Sequence, residues 1–153
     1  MRKTVFALII VMLAFPGLLF AAGARETAER DQLEIFSWWT AGGEAEGLEA
    51  LFDIYNSLYP DVEVINATVA GGAGAQAKAV LATRMQGGNP PDSFQVHAGR
   101  GLVDTWVVAN MMEPITFIYE EEGWLDAFPQ GVIEMVSYEG EIYSVPANIH
   151  RSN

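Results

Sequence analysis

The chain has 153 residues, 8 of them lysine or arginine against 20 aspartates and glutamates, and no cysteine. That length fits about one domain, and half the residues are apolar, enough to bury a core. Lack of cysteine excludes disulfides, a thiol nucleophile, a cysteine-ligated metal and a lipidated amino-terminal cysteine, while so acidic a surface repels phosphate backbones and argues against nucleic-acid binding.

Residues 1–24 read as an export signal. Arg2 and Lys3 supply the positive start, Val5 to Ala24 carries no charge, and Ala22-Gly23-Ala24 fits a small-residue cleavage site before Arg25. An uncleaved membrane anchor is the competing reading, because a stretch of that length can span a bilayer. Either way the rest of the chain is expected outside the cytoplasm, periplasmic or extracellular. Residues 25–32 are charged and aperiodic, which predicts a short tether.

The predicted elements alternate. Leu33 to Trp38 is a strand. Glu44 to Tyr59 is a helix with an apolar stripe at Leu48, Leu51, Phe52, Tyr55, Leu58 and Tyr59. Val62 to Val69 is a second strand, rich in β-branched residues. Gly71 to Gly74 is a turn, and Ala75 to Met85 a helix with its stripe at Ala75, Ala79, Leu81 and Ala82, ended by Gly87-Gly88-Asn89-Pro90-Pro91. Ser93 to His97 is a third strand and Leu102 to Ala109 a helix. Met112 to Phe128 reads as short helices and turns, and Val136 to Val145 as a hairpin turning at Glu139-Gly140-Glu141.

Strand, helix, strand, helix, strand predicts an α/β fold with a mainly parallel sheet. Right-handed crossovers bring the carboxyl ends of the strands to one edge, where open α/β sheets hold ligands. The residues expected there are Trp38 and Trp39, the Gly71–Gly74 turn, and Gln95 and His97. A flat indole matches the C–H face of a pyranose ring. Gln95 and His97 both donate and accept hydrogen bonds, which suits hydroxyl groups. Glu44 opens the first helix; it either complements the helix dipole or accepts bonds from neighbouring sugar hydroxyls. The plain alternative for the tryptophan pair is one indole in the core and the other capping a loop.

No catalytic or metal site is expected. The chain has no GxSxG motif and only two histidines, His97 and His150, without metal-ligand spacing. A glycosidase needs a second carboxylate beside Glu44, for which Asp92 and Asp104 are the possible residues. Gly72-Ala73-Gly74-Ala75-Gln76-Ala77 matches a dinucleotide fingerprint, but it follows the second strand and lacks the acidic partner at a strand end. An exported glycosidase and a nucleotide-binding α/β domain are therefore the alternatives to a sugar-binding module.

Three stretches, "LEIFSWWTAGGEAEGLEALFDIYNSLYPDVEVINATV", "GGAGAQAKAVLATRMQGGNPPDSFQVHAG" and "YEGEIYSVPANIHRSN", resemble the extracellular solute-binding proteins of ABC sugar importers, most nearly the glucose-binding type. The resemblance covers Leu33 to Asn153. It implies two α/β lobes joined by a hinge, a sugar held between them, a membrane permease and an ATPase as partners, no cofactor and a monomer. It also implies Trp38, Trp39, Glu44, Gln95 and His97 as sugar contacts of the first lobe. Asn148 to Asn153 would begin the crossing to the second lobe, so the resemblance implies an incomplete amino-terminal lobe.

Overall fold

The computed structural model describes residues 31–71 and 74–149. The stretch expected to be an export signal, most of that expected to be a tether, Gly72, Ala73 and residues 150–153 of the expected crossing lie outside the described residues. A three-stranded parallel sheet forms the base, with β1 Gln32–Ser37 at its centre, β2 Glu63–Thr68 on one side and β3 Ser93–Phe94 on the other. The chain crosses from β1 to β2 through α1 Gly42–Leu58, and from β2 back past β1 to β3 through α2 Ala75–Gln86. The crossover direction thus reverses at β1. Such a switch point leaves a crevice at the carboxyl ends of the strands.

β1 starts one residue earlier than expected. Gln32 pairs with Glu63 in the ladder, and its amide donates to the Glu63 carboxylate at 2.9 Å, so the tether reading ends at residue 31. The third strand is shorter than expected. Gln95 N still donates to Phe36 O at 2.8 Å, but β1 ends one residue later and the Gln95 side chain turns to the Trp38 backbone. Gln95 and His97 therefore sit in a loop at the strand end and not within the third strand, where the sequence reading expects them.

Helix faces also differ from the expected stripes. In α2 the buried residues are Ala77 and Leu81, one turn apart, whereas Ala75 and Ala79 are exposed. In α1 only Leu48 is buried, and Leu51, Leu58 and Tyr59 are exposed. The helix expected at Leu102 begins as α3 Arg100–Leu102 and runs on as a π-helical stretch, Val103–Val107. Three short helices follow, α4 Thr116–Glu121, α5 Trp124–Ala127 and α6 Gln130–Met135, with Pro129 immediately before α6. The hairpin β4 Ser137–Tyr138 and β5 Glu141–Ile142 turns at Glu139 and Gly140, both with positive φ, as a two-residue type I′ turn requires.

Two apolar clusters hold these elements together. Phe36, Ala77, Leu81 and Trp106 pack α2 and the π-helical stretch against the sheet. Leu102, Val107, Tyr119, Ile133, Val136 and Ile142 form the second, under the short helices and the hairpin. Val96 and Met112 touch both, so the loop after β3 is clamped between them. At the amino end of the sheet, Arg84 makes two 2.6 Å bonds to the Glu34 carboxylate and a 3.1 Å bond to Asn89 O, fixing α2 and its terminating turn to β1. These bonds hold the Glu34 carboxyl below its ordinary range despite partial burial.

Candidate functional site

A cleft of about 910 Å³ opens at the carboxyl edge of the sheet. Trp38, Trp39, Glu44, Gln95 and His97 all line it, together with Asn148. Its volume lies within the range of small-molecule sites.

β1 sets the frame. Ser37 is buried, its carbonyl accepts from Val69 N at 2.9 Å, and its hydroxyl accepts from Trp39 N at 3.3 Å. Gln95 Oε1 accepts from Trp38 N at 3.1 Å. Trp38 is thus pinned to the residue after β3 and Trp39 to the last residue of β1, and one of Gln95's two polar groups does structural work.

Trp38 is packed by protein. The Gly74 backbone lies against its six-membered ring so closely that a Cβ there would come within 2.7 Å of Cδ2. Gly74 has φ +77, which favours glycine again. The Lys78 ammonium lies 5.6 Å from the indole centroid, and the His97 ring 5.1 Å away, tilted by 49°. Close backbone approach to Trp38 therefore accounts for the last glycine of the dinucleotide-like fingerprint. Trp38 also packs on the Phe36 cluster, while Trp39 is half-buried at the cleft. The Trp39 indole N–H is buried and meets no acceptor among the described residues. Such a group costs about 1–3 kcal/mol until an acceptor reaches it.

His97 is exposed at the cleft mouth. Desolvation, and then the nearby positive charge of Lys78, push its protonation below the ordinary histidine range. A neutral ring keeps one donor and one acceptor. Glu44 sits in the first turn of α1, where the helix dipole favours a carboxylate, and Asn148 Nδ2 donates to its Oε1 at 3.3 Å. Sequence reasoning did not assign Asn148, because the two residues are 104 positions apart. The second carboxylates considered for a glycosidase have structural partners: Asp92 accepts from Glu34 N at 2.7 Å, and Asp104 pairs with Arg100 at 2.9 Å. Among the described residues no group of three histidine, aspartate or glutamate side chains could hold a metal ion.

A parallel sheet with its switch point at a tryptophan pair and a cleft above it that carries a few polar side chains invites comparison with known proteins. The family model of the bacterial extracellular solute-binding proteins matches residues 32–153. This chain belongs to that family. Its fold is shared with a chain solved in work on xylan utilization by Caldanaerobius polysaccharolyticus, with a TM-score of 0.62 at 22% identity, over 73% of this chain and 27% of that one. An uncharacterized ABC transporter extracellular-binding protein of Pyrococcus horikoshii is 39% identical over 84% of this chain. A "Probable sugar-binding periplasmic protein" of Brucella suis is 33% identical over 82% of it. The chain spans about three tenths of the length of these two relatives, 29% of each. The likeness covers the sheet and its cleft, which fits a single lobe of such a fold.

Proposed function

We propose that the cleft binds a monosaccharide or a short sugar, and that the chain is a sugar-recognition lobe serving carbohydrate uptake through an ABC transporter permease. The observation that carries this is the convergence of Trp38, Trp39, Glu44, Gln95 and His97 on one cleft at the sheet's switch point. Trp39 supplies apolar ring surface and a buried donor, Glu44 a charged acceptor, and Gln95 and His97 groups that donate and accept. Together they match a ring with an apolar face and a hydroxyl equator. In this reading Trp38 acts more as the wedge that sets Trp39 and His97 than as a stacking surface, since Gly74, Lys78 and His97 already pack against it.

Glucose is the first sugar to test, with the permease as protein partner. The ligand would lie between this cleft and a second lobe that closes on it, the polypeptide being exported and monomeric. The residues have binding roles and no catalytic ones. Calorimetry with glucose, galactose, mannose and maltose tests the site. One sugar should give heat, and Trp39→Ala or His97→Ala should weaken it about tenfold or more while circular dichroism stays unchanged. Binding of equal strength in both variants would refute the assignment.

A further inference from the structure

Asn148 and Glu44 approach the cleft from opposite ends of the chain. Glu44 is half-buried in the first turn of α1, and Asn148 is exposed in the segment after the hairpin. Both line the cleft, and Asn148 Nδ2 stands 3.3 Å from Glu44 Oε1. The orientation of the amide is dictated by charge: a carboxylate accepts only, so the NH2 end must face it. The result is an amide and a carboxylate held side by side, one able to donate and accept, the other an acceptor with several lone-pair positions.

Hydroxyls on adjacent carbons of a pyranose, when gauche to one another, lie within hydrogen-bond distance of each other. They match two polar groups held at that same spacing. A trans-diaxial pair points apart and does not. We infer that Asn148 is a specificity residue of the cleft and that, with Glu44, it reads two neighbouring hydroxyls of the bound sugar. This rests on the sugar-binding reading above and adds to it a residue and a recognised feature, a gauche vicinal diol. A sugar lacking either hydroxyl leaves a polar group of the pair without its ligand partner, and its affinity falls accordingly.

The monodeoxyglucoses test this against glucose, using the 153-residue chain and its Asn148→Ala variant. Amide shift changes in nuclear magnetic resonance read affinities down to the millimolar range. In the wild type, the analogue lacking a hydroxyl read by Asn148 should bind at least about fivefold more weakly than glucose. In N148A that analogue and glucose should bind alike, while the penalties for the remaining hydroxyls persist. Uniform weakening of every sugar, or no change, would overturn the inference and leave the sugar-binding reading standing. A wild-type chain that binds glucose and none of the deoxy analogues more weakly would also overturn it. If the wild type binds no sugar of the panel, the sugar-binding reading fails and the inference falls with it.

Discussion

Gly74 and His97 carry the most testable chemistry at the residue scale. Gly74 faces two constraints at once, a left-handed backbone and an indole where its Cβ would be. Gly74→Ala should cost about 1–3 kcal/mol in urea unfolding and displace Trp38, with a loss of near-ultraviolet dichroism. Unchanged stability would mean that the Trp38 ring moves aside freely. For His97 the sign follows from its lowered protonation. The unfolded chain binds the proton more tightly, so the contribution of His97 to stability is present above the unfolded value near 6.5 and is lost as pH falls below it. Burial is the larger cause and Lys78 the smaller, so Lys78→Met should raise the His97 midpoint only part of the way. A proton titration of the imidazole reads this directly, and a midpoint that falls in the variant would contradict the placement of Lys78.

Two contacts between elements have definite consequences. The Arg84–Glu34 pair ties α2 to β1 with both side chains mostly shielded. Arg84→Ala should destabilise the chain by about 2 kcal/mol. Because the Glu34 carboxyl is lowered, that contribution is present above its unfolded value near 4.5 and disappears as pH falls through the folded one, so the variant and the parent should converge in acid. In the hairpin, Glu139 has φ 51 ahead of Gly140 with φ 90. Asparagine suits the first of these positions better, and Glu139→Asn should raise stability by several tenths of a kcal/mol. These elements were legible in the sequence because their signals are local. A short apolar run marked β1, β-branched residues marked β2, helix formers ahead of Gly87 marked α2, and a glycine between two glutamates marked the turn. Helix burial was less legible. Periodicity shows that α1 has an apolar stripe, but only the tertiary packing decides that Leu48 faces the core while Leu51 and Leu58 do not.

Across the whole molecule, α1 leaves Leu51, Ile54, Leu58 and Tyr59 largely exposed. Leu58→Lys should therefore leave stability within about 0.5 kcal/mol of the parent, where burial would have cost far more. A loss of several kcal/mol would show that the residue is packed in solution. The five cleft residues expected from the sequence were legible for a topological reason: strand carboxyl ends share an edge whatever the sheet order. Their division of labour was not. That Gly74 wedges Trp38, that Gln95 serves the Trp38 backbone, and that Asn148 reaches Glu44 all depend on contacts between distant segments. The central claim is that this edge holds a sugar, and the Trp39 indole N–H, buried with no acceptor among the described residues, is its most direct reporter. The decisive measurement is its proton–nitrogen cross-peak during a glucose titration, beside the backbone peaks of Glu44, Gln95 and His97. The account predicts a saturable downfield shift of the indole peak with changes at those three residues. A titration that leaves all four peaks still, or moves only peaks distant from the cleft, would contradict it.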